Sequence, residues 1–105
     1  MATLYVAEYR WLASVPSSLN YSPQAAQGPQ EPPITEYTIA ITGSSTAGQL
    51  FGGYTTLIRV HTDAICSILI GTAPTATTTN KRLSANQTEY FGVAPAQRIA
   101  VIQNV

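Results

Sequence analysis

The only histidine and the only cysteine of this chain stand close together in HTDAICS, residues 61–67, with Asp63 between them. A thiolate beside an imidazole is a nucleophile with its base, and a carboxylate orients such pairs. The same side chains are also part of a metal-ligand set. Closeness in sequence carries little weight here, because catalytic Cys–His pairs come from distant segments that meet in the fold. One histidine and one aspartate leave a metal short of ligands. Strand-like patterns flank the motif on both sides, and aspartate favours turns, so a turn is predicted at Thr62-Asp63-Ala64. That places Cys66 inside the following strand, beside Ile65, Ile68 and Ile70. A cysteine in such surroundings is a small hydrophobe whose pKa rises with burial instead of falling. The motif is expected to be a turn, with no catalytic residue, cofactor or metal.

The remaining chemistry-bearing letters form no motif. The acids Glu8, Glu31, Glu36, Asp63 and Glu89 are scattered, and glycosidase chemistry needs two at a defined separation around a sugar. GQLFGG, residues 48–53, lacks the lysine and the strand-turn-helix context of a phosphate loop. The protein is therefore expected not to be an enzyme.

The elements that must position any site read as β-structure. Thr3 to Tyr9 alternates, with Leu4 and Val6 on one parity and Tyr5, Ala7 and Tyr9 on the other. A strand is preferred there to the competing helix from Tyr5 to Leu12, whose Tyr5, Tyr9 and Leu12 recur at helical spacing. Further strands are predicted near 36–42, 56–62, 64–70, 88–93 and 98–103, separated by turn signals such as GSSTAG and Gly52-Gly53. Ile39, Ile41, Ile58, Val60, Ile68, Ile70, Ile99 and Val101 are the expected core, and Arg59 and His61 are expected to face outward. The Lys81-Arg82 pair is read as a solvated loop charge. No helix longer than two turns is expected. The architecture implied is all-β, a small antiparallel β-sandwich of jelly-roll type, in one domain over residues 1–105. Residues 12–35 interrupt it with five prolines and Gly28, which argues against regular structure and for an extended arm or long loop.

Composition narrows the partners. Charged residues make up 10% of the chain and sum to zero, against about 25% in an average domain. Polarity comes instead from 14 Thr, 8 Ser, 7 Gln and 4 Asn. A neutral hydroxyl and amide surface repels copies of itself weakly and tolerates packing against other protein. Nucleic acid is excluded as a partner, since phosphate affinity rests on clustered Lys and Arg. A membrane is excluded by the lack of a run of about 18 apolar residues. No secretory signal is read at the start, so synthesis in the cytoplasm is expected. Tyr9, Trp11, Leu19 and Tyr21 lie at or within the proline-rich segment and are the candidate subunit contacts, because Tyr and Trp are enriched in interface cores. The competing use of exposed tyrosine and tryptophan is to stack on sugar rings, as in a carbohydrate-binding module or adhesin.

Residues 57–102 carry a series of pieces: an arginine-bearing strand, TDAICSI, GTAPTAT, Arg82-Leu83 followed by SAN, EYFGV and IAVI, with ATLYVAEY near the start. In these pieces the chain resembles small virion-associated proteins of tailed bacteriophages and prophages, of the capsid decoration or cement type. The resemblance covers about half the chain and transfers no catalytic residue. It implies a β-sandwich subunit that decorates or cements a capsid surface, partnered by the major capsid protein, or that sits on another virion surface, made in the host cytoplasm. It also implies a homo-oligomer, with a trimer favoured.

Overall fold

The computed structural model describes residues 2–16 and 23–104, with backbone alone for 13–16 and 23–28. The described residues form ten strands: β1 Thr3–Tyr9, β2 Leu12–Pro16, β3 Pro23–Pro29, β4 Thr35–Ala40, β5 Thr46–Ala47, β6 Leu57–Thr62, β7 Cys66–Gly71, β8 Lys81–Leu83, β9 Thr88–Gly92 and β10 Arg98–Gln103. Among the described residues there is no helix. Eight strands make two antiparallel four-stranded sheets, in the orders β4-β1-β6-β9 and β5-β10-β7-β8. The two sheets face each other across one core, so the protein is a small β-sandwich.

A jelly roll lettered B to I has sheets BIDG and CHEF. The order here is the same, except that the I position is filled by β1, from the front of the chain, instead of by the last strand. The two ends meet as that arrangement requires. Ile41 N–H donates to the Ala2 carbonyl at 3.0 Å, and Gln103 N–H donates to the Thr42 carbonyl at 2.8 Å.

The period of two in the sequence builds the core. Leu4 and Val6 from β1, Ile39 from β4 and Ile58 and Val60 from β6 face Cys66 and Ile68 from β7, Leu83 from β8 and Ile99 and Val101 from β10. Ile41 and Phe51, from the loops beyond β4 and before β6, complete the cluster. Ile70, expected in the core, is only half buried and packs against its margin, because β8 pairs with Cys66 to Ile68 and leaves the end of β7 at an edge. The Lys81-Arg82 pair, expected in a loop, belongs to β8, where the Lys81 ammonium lies 4.6 Å from the centre of the Phe91 ring. Strands β5 and β8 carry too few residues to show a period and were not predicted.

The proline-rich segment is the main correction. Its described parts are not irregular: β2 and β3 pair antiparallel as a two-stranded ribbon, with Leu12 opposite Pro29, Ser14 opposite Ala25 and Pro16 opposite Pro23. A register irregularity lies between Leu12 and Ser14. In a two-stranded ribbon both strands are edges, so prolines at strand ends need cost no ladder bond. This ribbon pairs only with itself and makes no comparable contact with any other strand. The segment is a hairpin, called the arm below.

The alternating core makes one prediction. Ile68→Ala should lower unfolding stability by about 2–5 kcal/mol, through lost transfer energy plus the cavity left between the sheets. Chemical denaturation with an unchanged m-value would check it.

Candidate functional site

The end of the sandwich that carries the arm is organised by Glu8. This residue shares the inward parity of Leu4 and Val6, and only 1% of its surface is exposed. Its Oε1 accepts hydrogen bonds from Gly52 N–H at 3.0 Å and from the Thr55 hydroxyl at 2.7 Å. Gly52 sits close to this pair, its missing Cβ 3.4 Å from Thr55 Oγ1. The buried Glu8 Oε2 and the buried Tyr37 hydroxyl have no hydrogen-bond partner among the described residues. The tyrosine feels the carboxylate all the same: burial first, and then the Glu8 charge, hold its pKa well above the ordinary range.

Two more contacts pin the loop that Glu8 holds. Thr56 N–H donates to the Tyr9 carbonyl at 3.0 Å, and the Thr56 hydroxyl donates to the Arg10 carbonyl. The loop therefore holds Tyr54 beside the root of the arm. There the Arg10 guanidinium lies over both aromatic rings, 4.3 Å from the Trp11 centroid and 4.8 Å from that of Tyr54. Such cation–π contacts contribute about 0.5–1 kcal/mol each at exposed sites and restrict both rings. Trp11 is 53% exposed and Tyr54 70%, and Leu12, next to Trp11 in the chain, and Ile34 are also exposed. Ile34 is held next to this end by its N–H, which donates to the Glu8 carbonyl at 2.7 Å. The root of the arm is a fixed aromatic and aliphatic surface with one cation in it.

The two outer faces of the sandwich differ. On the second sheet, Ser67 and Ala100 point outward by register yet are fully buried. The segment 72–80 covers them, placing Ala76 in contact and accepting bonds at the Thr78 carbonyl from Ser67 Oγ at 3.5 Å and Asn104 Nδ2 at 3.1 Å. The first sheet has no such cover over Tyr5 and Tyr90, which are 46% and 50% exposed. Two adjoining hollows of about 220 and about 440 Å³ lie on this face, sharing Tyr5, Glu36 and Arg59.

The sequence candidates are placed plainly. The HTDAICS segment is a corner that carries the chain from β6 in the first sheet to β7 in the second. His61 lies on the outer face, its Nδ1 2.7 Å from Thr88 Oγ1, while Cys66 is fully buried in the core. The sheet separates them. Burial pushes the Cys66 thiol pKa up, and its Sγ donates weakly to Thr62 Oγ1 at 3.6 Å. Asp63 accepts a bond at Oδ1 from Thr3 N–H at 2.7 Å. Among the described residues no group of three or more His, Cys, Asp or Glu side chains could hold a metal.

Of the four candidate contacts, Trp11 is exposed at the surface just described. Tyr9 is buried and its hydroxyl donates to Glu31 Oε2 at 2.8 Å, so its ring serves the protein's own fold. Leu19 and Tyr21 fall outside the described residues. Sequence reasoning missed Glu8 and Tyr54. Glu8 was findable as an acid on the apolar parity of β1; Tyr54, in a glycine-flanked loop, gave no such signal.

The chain matches no protein-family model, no curated protein and no solved structure.

Two outcomes are expected from this geometry. Glu8→Ala leaves the Gly52 N–H and the Thr55 hydroxyl unpaired, and should lower stability by about 2–4 kcal/mol. Hydrogen exchange should show the amides of residues 52–56 losing protection first. The second concerns alkaline pH. Burial, and then the Glu31 carboxylate, push the Tyr9 pKa from 10.0 up to about 12. The unfolded chain therefore releases this proton first, and stability should fall as pH rises through the interval between those values. Tyr9→Phe should flatten that decline in thermal melts across the same interval.

Proposed function

We propose that the protein is a non-enzymatic structural subunit of a phage virion, attached to the capsid surface as a decoration or cement protein. The observation that carries this reading is the projecting β2–β3 hairpin, which pairs only with itself above a fixed surface of Trp11, Leu12, Ile34 and Tyr54. Such a surface is unspent by the protein's own fold. Large exposed aromatic and aliphatic side chains held rigidly are what the core of an interface is made of, since little side-chain freedom is left to lose on binding. A hairpin adds reach, and its free edges offer backbone hydrogen bonds to a neighbouring strand.

The resemblance of residues 57–102 to small virion proteins of tailed phages points the same way. So does the strand order, because jelly rolls recur in viral capsid proteins, although a fold carries no function by itself. The sparse, balanced charge suits a subunit that packs among neighbours. Its partner on this reading is the major capsid protein, and the protein itself acts as an oligomer, with a trimer as the leading arrangement. An array of sites lets each contact be weak while the assembled lattice holds.

The test is co-sedimentation of purified protein with heads assembled without it. The native protein should reach saturating occupancy. Trp11→Ala combined with Tyr54→Ala should lower affinity by about 10-fold or more, a loss in the range of interface hot spots. Replacing residues 13–28 by a short glycine-serine linker should do the same and leave the sandwich folded. Full occupancy by both variants, or none by the native protein, would remove this function.

A further inference from the structure

The outer face of the first sheet contains a second surface that capsid attachment through the arm leaves unused. Register fixes its plan. Glu36, Ala7 and Arg59 lie in one row across β4, β1 and β6, and Thr38, Tyr5 and His61 lie in the next. Ala7 is the small residue in the first row, so its position is a floor, with Glu36 and Arg59 two strand spacings or about 10 Å apart at their backbones. The adjoining hollows of about 220 and about 440 Å³ open above this floor, and the larger reaches His61 and Asp63. Glu36 and Arg59 make no hydrogen bond or ion pair with any described residue. His61 uses one ring nitrogen on Thr88, leaving Nε2 open. The Tyr5 ring lies 6.2 Å from the imidazole at an angle of 50°, so one rim of the hollow is aromatic.

We propose that this hollow binds a neutral saccharide. A sugar ring is polar at its edge and apolar on its C–H faces, and it needs a partly exposed aromatic ring beside unspent donors and acceptors. Tyr5 supplies the ring, Arg59 the donors, Glu36 the acceptors, and His61 Nε2 either. Each sugar hydroxyl both donates and accepts, so a polyhydroxylated ring satisfies a guanidinium on one side and a carboxylate on the other. Charge selects against the alternatives. Glu36 and Arg59 oppose one another across the floor, so no simple anion or cation is attracted by both. The contrast with the second sheet supports the choice, since segment 72–80 covers that face while on this one Glu36 and Arg59 have no hydrogen-bond partner among the described residues. The inference does not depend on capsid attachment, because none of its residues belongs to the root of the arm.

The test uses the full chain, labelled with 15N, titrated with methyl glucoside, methyl galactoside, methyl mannoside and N-acetylglucosamine. At least one should bind with Kd of about 1–10 mM, as expected for a single sugar in an open site. The amide shifts should be confined to residues 5–7, 36–38 and 59–61. Glu36→Gln and Arg59→Ala should each weaken binding by about 10-fold, with spectra otherwise native, while Trp11→Ala should leave it unchanged. Absence of shifts with all four sugars overturns the proposal. So do shifts centred on Trp11 and Tyr54, or inorganic phosphate moving the same amides more strongly than any sugar. Occupancy of capsids by Arg59→Ala, measured separately, keeps the failure of one function distinct from that of the other.

Discussion

A single buried carboxylate determines how one end of this protein is closed. An apolar residue at position 8 would continue the Leu4 and Val6 face, and the core would end in hydrocarbon against whatever loop passed over it. Glu8 instead requires donors, because an unsatisfied carboxylate away from water is strongly unfavourable. The donors present are Gly52 N–H and the Thr55 hydroxyl, from a loop far away in sequence. Their bonds fix the loop's height and direction over the sandwich. The next residues of β1 then leave under constraint, with the Tyr9 and Arg10 carbonyls bound to Thr56. The Arg10, Trp11 and Tyr54 cluster is a consequence of that anchoring. One oxygen of Glu8 and the Tyr37 hydroxyl remain without hydrogen-bond partners among the described residues.

Large side chains left in water are distributed in the same way as these constraints. One outer face is closed by the protein's own segment 72–80, and the sandwich interior is filled from both sheets. Apart from Leu50 and Leu69, the large apolar side chains that stay exposed are at the root of the arm, as Trp11, Leu12, Ile34 and Tyr54, or on the open face of the first sheet, as Tyr5 and Tyr90. Scattered exposed hydrophobics are ordinary, whereas a fixed cluster beside a projecting hairpin is not. With few charges on the chain, neither surface is steered by long-range electrostatics. Recognition at both depends on shape, aromatic area and short-range hydrogen bonding.

The sequence by itself determined the parts of the fold that rest on period two. The strand bounds read at 3–9 and 98–103 are those of β1 and β10, although residues 99–102 form a continuous apolar run, and the apolar parity of β6 placed Arg59 and His61 outward. The HTDAICS corner was legible because aspartate between two strong strand patterns has few other roles, and the fold adds that the corner changes sheets. Proline composition was legible as an interruption of the sandwich, but not as a hairpin. A two-stranded ribbon accepts proline at its strand ends, where an inner strand would lose a ladder bond.

Only the tertiary structure decided where the surfaces are. Whether Tyr9 or Tyr54 faces water depends on Glu31, which bonds Tyr9, and on Glu8, which bonds Gly52 and Thr55 on either side of Tyr54, and no local pattern encodes those contacts. The short strands β5 and β8 exist because β10 and β7 offer them free edges, not because their own residues prefer a strand. The row of Glu36, Ala7 and Arg59 is likewise a product of register between three separated strands. Local alternation fixes which side of a strand a residue occupies. Pairing between distant strands fixes its neighbours there, and the hydrogen bonds that set this pairing form only in the folded chain.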